Sequence, residues 1–408
     1  MNFKLLTAVF LLFSLLINAQ WVSQNSSTNF SLLDVDFVDQ KIGYVVGGPY
    51  LGFQGFPEGV LLKTSDAGET WMKLDSPVDV QLQGVCFVNS EVGWVVGEEQ
   101  IYKTINSGES WIEQSNNVSL IGNTSLFSQA IDCIDENTAY IVGFNSVIVK
   151  TTNGQSWNQV YGDWNGSNPS LFGIKCVSAS QCWAVGEAGT VLATLNGGTT
   201  WSEQEAYSDT GFYTVFFLDS EKGWVAGDNA RIRRTTNGLT WMNQTIDNIY
   251  STFRATYFAN STYGWVAGGD AILFTNDSGY NWHSINLSSL YSSNLPVIFR
   301  GIDFPSSTVG WVVGDNGTIL KYVAPILAST TSEPEAPNGG IDLQCPILTD
   351  DCEAGFTPQW IYDQAEICIV DYTCVEATPA NAPLSQSPVY NFLANLLVWL
   401  QSLFKFGG

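Results

Sequence analysis

The sequence predicts an all-β chain: a seven-bladed β-propeller of four-stranded blades, its last blade closed by the N-terminal strand, with a small cysteine-containing C-terminal region behind it. Three observations carry this. A strand opening on an aromatic returns seven times, at Tyr44, Trp94, Tyr140, Trp183, Trp224, Trp265 and Trp311, about 40 to 50 residues apart, the period of propeller blades. Seven residues before each aromatic stands Phe37, Phe87, Cys133, Cys176, Phe217, Phe258 or Phe304, so one register holds throughout. The seventh unit ends at Val323-Ala324-Pro325 without its closing strand, while Trp21-Val22-Ser23-Gln24 at the other end copies Trp201-Ser202-Glu203-Gln204 and Trp241-Met242-Asn243-Gln244. An N-terminal strand in the last blade would leave the ring no open edge.

Taken in order, residues 1–19 have the basic start, apolar run from Leu5 to Ile17 and small-residue end of a secretory signal peptide. The protein is expected to be secreted or associated with the cell envelope. Residues 20–323 form the propeller. Each blade is predicted to hold an inner strand, the aromatic strand, a Val/Leu-rich strand and a turn ending in tryptophan, read in full from Thr64 to Trp71. Variants of the turn precede Trp111, Trp157, Trp201, Trp241 and Trp282. Asp66, Asn106 and Asp277, with Gly68, Gly108, Gly198 and Gly279, are expected to satisfy the turn backbone while the tryptophans pack between blades. No chemistry is assigned to them.

Residues 324–341 read as a linker by their Ser, Thr, Pro and Gly content, 342–378 as a cysteine-containing module, 379–388 as a second linker and 389–408 as an apolar segment. In that last segment Asn391, Asn395, Ser402 and Lys405 share one helical face, which suits contact with a membrane interface through 389–406; docking on the propeller or the module is the other reading.

Export permits disulfides, and the eight cysteines fall into two groups of four. Cys176 and Cys182 flank a short turn and are expected to bridge. Cys86 and Cys133 read as buried thiols. Cys345, Cys352, Cys368 and Cys374 lie in a stretch too short for its own core, where two bridges of open connectivity are expected. Their spacings do not match the close pairs of structural zinc sites. No metal and no cofactor is expected.

A formal charge of −24, with 15 basic against 39 acidic residues, leaves no basic face to neutralise phosphates, which argues against nucleic acid as a partner. The single histidine, His283, follows a turn tryptophan, away from the face where the long loops gather; histidine-assisted hydrolysis has no candidate. Those loops join second to third strands or one blade to the next. They carry Tyr50, Phe53, Phe56, Tyr161, Trp164, Tyr250 and Tyr291, suited to a protein or glycan ligand on that top face. All five arginines fall in blades five to seven. Arg254 and Arg300 hold one repeat position at the top entrance of the central channel, and Arg231 and Arg234 lie in the third strand of blade five, so these four are the candidates for an anionic or carboxylate-bearing ligand. Pairing of Arg254 and Arg300 with local carboxylates is the alternative. Glu98, Glu187, Asp228, Asp270 and Asp315 follow the second strand in five blades and read as turn formers.

The phrase from Gly310 to Leu320 and the turn Lys63-Thr64-Ser65-Asp66-Ala67-Gly68-Glu69-Thr70-Trp71 resemble the photosystem II assembly and stability factor-like family of seven-bladed propellers. The turn itself is similar to the Asp-box, or bacterial neuraminidase repeat, of sialidases and sortilin-type receptors. The resemblance covers Trp21 to about Val323 and implies a non-catalytic exported scaffold that helps membrane complexes assemble through an arginine patch. A carbohydrate-binding surface protein is the second reading and a sialidase-like glycosidase the third; for the latter, Phe253-Arg254 and Phe299-Arg300 are only distant echoes of the required start.

Overall fold

The computed structural model describes residues 20–49, 59–78, 80–97, 100–116, 128–162, 168–205, 210–244, 246, 249–287 and 297–324, and two strands further on. The chain divides into two units, Met1–Leu327 and Ala328–Gly408. In the second, Phe356–Tyr362 pairs antiparallel with Ile369–Glu376. Cys374 stands on the latter strand; Cys345, Cys352 and Cys368, residues 1–19, in which a signal peptide is expected, and residues 389–408 lie outside the described residues.

The first unit is the seven-bladed propeller. Inner strands Ser31–Phe37, Gly84–Phe87, Ser128–Cys133, Leu171–Cys176, Phe212–Phe217, Ala255–Phe258 and Phe299–Ser306 neighbour one another in cyclic order, and blade seven closes on blade one. Each blade is an antiparallel meander of four strands, and blade three gains a fifth where Ser115–Asn116 pairs parallel with Ser156–Tyr161. Gln20–Asn25 supplies the outer strand of blade seven, paired over its whole length with Thr318–Val323. The ring is therefore closed by strands from its two ends.

One aromatic unit explains the repeat. The second-strand ring of one blade stacks on the inner-strand Phe of the next: Tyr44 on Phe87, Trp183 on Phe217, Trp224 on Phe258, Trp265 on Phe304 and Trp311 on Phe37, with centroids 3.5–3.8 Å apart. The turn tryptophan meets the same Phe edge-on, as Trp71 does Phe37. Trp21 meets Phe304 in that geometry, so the N-terminal strand stands in for the missing turn. Glycine precedes the second-strand aromatic because the Phe of its own blade fills the space: a Cβ on Gly43, Gly93, Gly223, Gly264 or Gly310 would lie within 2.5 Å of that ring. Where the inner residue is Cys133 or Cys176 the glycine is gone, replaced by Ala139 and Cys182.

Cys176 and Cys182 are disulfide-bonded within blade four, as expected. Cys86 and Cys133 are not thiols, contrary to the sequence reading: they form a disulfide between the inner strands of blades two and three. The partners are 47 residues apart and meet only because consecutive inner strands run side by side.

The turns before the tryptophans are structural. Thr64 Oγ1 accepts the Gly68 amide at 2.8 Å, and Asp66 accepts the amide and hydroxyl of Thr70 at 2.9 and 2.6 Å. These donors hold the Asp66 carboxyl down at about 2. Asn106, Asn153, Asn196, Asn237 and Asp277 repeat the arrangement, with Gly68, Gly108, Gly198 and Gly279 in the left-handed region. Trp71→Ala is expected to cost about 3 kcal/mol through its buried ring, and Asp66→Ala less. Both should leave partner binding intact once the variant is folded; thermal melts beside a binding assay check this, and a stable variant that no longer binds would overturn the structural role.

Candidate functional site at the mouth of the axial channel

Repeat register places inner-strand side chains in layers around the axis. The residue four before the inner Phe or Cys is Leu33, Gln83, Gln129, Phe172, Tyr213, Arg254 and Arg300 in blades one to seven. The residue immediately before it is Asp36, Cys86, Asp132, Lys175, Phe216, Tyr257 and Asp303. Both sets line one axial cavity of about 350 Å³. The first forms a mouth on the long-loop face; the second forms a floor. In five blades the pairing of inner and second strands skips one residue, and that residue is Leu33, Gln129, Phe172, Tyr213 or Arg300. A bulge thus frees the mouth residue from the ladder and turns it to the axis.

The mouth is chemically graded. Phe172 stacks on Tyr213 at 4.8 Å, and the Arg254 guanidinium lies 4.7 Å from the centroid of the Tyr213 ring, giving a Phe-Tyr-Arg run across blades four to six. Arg300 continues it but is held by Asp315 through two bonds of 3.0 and 3.2 Å. No carboxylate among the described residues lies within ion-pair distance of Arg254. Burial, then Arg300, lowers its guanidinium from the ordinary value, while Asp228 and Asp315 oppose from farther away. A half-buried cation with no bound carboxylate is the feature of this face most suited to an anion.

The floor is a set of clips between blades. Asp36 accepts the Phe87 amide, Asp303 the Phe37 amide and Asp132 the Cys176 amide, each at 2.6 Å, and Asp34 accepts the Val85 amide at 2.9 Å. Lys175 lies 2.8 Å from Asp132. Burial pushes the Asp34 carboxyl up to about 7 and Asp36 to about 6 against their amide donors, and Asp303 well above the usual range with Asp36 beside it. Burial by itself would lower the Lys175 ammonium, yet Asp132, then Asp36 and Asp303, keep it raised.

Most other cations are committed to structure. At one third-strand position Lys63, Lys103, Lys150 and Lys321 lie over their own blade's Tyr44, Trp94, Tyr140 and Trp311. They donate across to Ser107, Glu136, Gly197 and Glu69 of the next blade. Arg234 holds the same position: it donates to the Ser278 carbonyl and lies 3.8 Å over Tyr280. It therefore belongs to the turn face and not to the mouth. Arg231 immediately precedes the third strand of blade five, Ile232–Thr235, on the long-loop face and outside the channel lining. Of the four arginines singled out in the sequence, the structure brings Arg254 and Arg300 together.

Tyr161 packs toward Trp201 at 6.3 Å, whereas Tyr250 is 88% exposed. Tyr50, Phe53, Phe56, Trp164 and Tyr291 lie outside the described residues. Of the carboxylates after the second strands, Glu187 accepts the Ser170 amide, Asp228 the Thr252 hydroxyl and Asp270 the Ser251 hydroxyl, so their side chains tie neighbouring loops together rather than bonding within their own turns. The sequence reading missed Gln83, Gln129, Phe172 and Tyr213, which the spacing of four before the inner residue would have found.

Fold and site together define a seven-bladed β-propeller with an axial channel open through an arginine-aromatic mouth. The model of the photosynthesis system II assembly factor YCF48 family matches residues 14–169, 203–296 and 237–323, and the chain belongs to that family. It is 25% identical over 174 residues to the photosystem II assembly lipoprotein Ycf48 of Picosynechococcus sp., a match covering 40% of this chain and 49% of that protein. The chain thus spans about half the length of the curated relative it matches. Among solved structures, YCF48 bound to D1 peptide is similar with TM-score 0.59 and 21% identity, over 74% of this chain and 97% of the other. YCF48 from Cyanidioschyzon merolae follows at 0.58 and 19%, over 75% and 98%, and a virginiamycin B lyase from Staphylococcus aureus has 0.58 at 12%, over 75% and 99%. At these identities the solved structures speak for the fold alone.

Proposed function

We propose that this chain is an exported, non-catalytic binding propeller that holds a carboxylate-bearing segment of a protein partner at the channel mouth and assists the assembly or stability of a membrane or envelope complex. The observation that carries the reading is Arg254: half buried, laid on Tyr213 and without a carboxylate of its own among the described residues. The stacked Phe172 and Tyr213 offer apolar surface beside it, and Gln83 and Gln129, whose amides donate to Gln81 Oε1 and to the Ser128 carbonyl, line the mouth across from it. Family membership supports a protein partner, since one solved relative is described as bound to a D1 peptide and the curated relative as an assembly lipoprotein.

Crosslinking in native envelopes followed by mass spectrometry tests it. Arg254→Ala, shown to be folded by its melt, is expected to lose one specific protein partner, with the crosslink yield down at least about tenfold, as for a charge-assisted bond. An unchanged partner list for folded Arg254→Ala would sink the mouth as the site.

A further inference from the structure

We propose that the Cys86–Cys133 disulfide is a redox latch on the channel mouth, so that its reduction by a dithiol reductant loosens the inner end of the junction between blades two and three and weakens partner binding there. The inference rests on the mouth being the binding site.

This junction is built unlike the others. The four–five, five–six, six–seven, seven–one and one–two junctions are joined by a second-strand aromatic stacked on the next inner Phe. Between blades two and three that Phe is Cys133, so Trp94 has no ring to stack on. Blades seven to one, one to two and three to four are clipped by a floor carboxylate on the next backbone amide. Here the floor residue is Cys86, and the Cys133 amide donates to its sulfur at 3.0 Å. A third device is missing too. Gln24 accepts from Trp71 and Trp311, and Gln204 accepts from Trp241, on the outer strands of blades seven and four. The equivalent Gln114 Oε1, Trp157 Nε1 and Trp94 Nε1 are buried without a partner among the described residues. At the axial end the disulfide stands where the other junctions have a stacked ring or a carboxylate clip.

The outer end does not depend on it. Ser115–Asn116 leaves blade two to pair with the outer strand of blade three, Lys103 donates to Glu136, and an apolar cluster around Trp94, Ile131 and Trp157 fills the middle. Reduction therefore opens one end of a junction that stays closed at the other. That end bears on the site, because Gln83 lies three residues before Cys86 and Gln129 four before Cys133, so the bond ties the two strands that carry both mouth amides. Cys86 lines the channel and Cys133 is only partly buried, which gives a reductant access. The chemistry is ordinary exchange: a reductant thiolate attacks one sulfur, the other leaves as thiolate and takes a proton, and the reductant's second thiol releases the mixed disulfide. Two electrons pass to the protein, which holds two thiols, and the reductant ends as a disulfide.

The test is hydrogen exchange on the full chain, oxidised and after dithiothreitol, with the crosslink yield of the partner measured in both states. Amides of Gly84–Phe87 and Ser128–Cys133 are expected to exchange at least about tenfold faster when reduced, and the crosslink yield to fall. Because the reductant reaches every disulfide, the comparison is with Cys86→Asp, Cys133→Phe, Ala139→Gly, which restores the carboxylate clip and the Phe-Gly pair of the other blades and should show neither response. If that variant does not fold, Cys86→Ala, Cys133→Ala should exchange fast in both states. Equal exchange in oxidised and reduced wild type would overturn the latch whatever the partner does. Faster exchange with no Arg254-dependent partner in either state would instead remove the binding reading and with it the gating.

Discussion

Removal of residues 20–25 is expected to leave a chain that does not reach a stable ring. Those residues supply the outer strand of blade seven, paired from Gln20 with Val323 to Asn25 with Thr318. Without them Thr318–Val323 becomes a bare edge, open to pairing with another chain. Trp21 is 5% exposed, packed on Phe304 and Tyr322, and its loss as Trp21→Ala alone should cost about 3–5 kcal/mol. Gln24 adds a bond to each of Trp71 and Trp311, so the strand joins blade seven to blade one as well as completing the sheet. Calorimetry and size-exclusion of the deletion should find aggregation or a broad, low transition, with a peptide of residues 20–26 restoring part of the ring in trans. A deletion that melts cooperatively near the full chain would show that the closure contributes little.

The second large effect is on pH. Asp34, Asp36 and Asp303 have folded carboxyls raised above the unfolded value, so the folded chain binds their protons more tightly. Their contribution is fully present below the unfolded value near 4 and is lost as pH rises through the folded values, about 6 for Asp36 and about 7 for Asp34. Stability should therefore increase from pH 8 to pH 5, by about 3 kcal/mol from Asp34 alone and roughly 1 kcal/mol more from Asp36. Below pH 4 the trend reverses. Asp66, Asp219 and Asp277 are lowered in the fold, and the stability they confer above the unfolded value falls away as they take up protons. Denaturant midpoints across pH 3 to 8 read both limbs. Asp34→Asn keeps an acceptor for the Val85 amide and should flatten the rise between pH 5 and 8; an unaltered slope would assign the proton uptake elsewhere.

The seven-fold ring, its closure by Trp21 to Gln24 and the structural part played by Asp66, Gly68 and Trp71 were all legible in the sequence. Each rests on a residue type recurring at one spacing, and a repeat writes one packing solution seven times. The Cys176–Cys182 bridge was legible for a related reason, since a short hairpin brings its two ends into register. Arg254 and Arg300 could be placed together because they share a repeat position, although the Asp315 partner of Arg300 could not be chosen over the alternatives.

What only the tertiary structure decided lies between blades. Cys86 meets Cys133, Arg234 turns to Ser278 and Tyr280, and Asp303 reaches Phe37 across a separation of 266 residues. The bulges that turn Phe172 and Tyr213 toward the axis are likewise register shifts in strand pairing, which alternation alone does not reveal. Sequence periodicity specifies what each blade is made of because local burial repeats with the blade. Which side chains meet across a junction, and whether a buried charge is clipped, paired or left for a ligand, depends on the angle at which successive blades pack, and that angle is set by the closure of the whole ring.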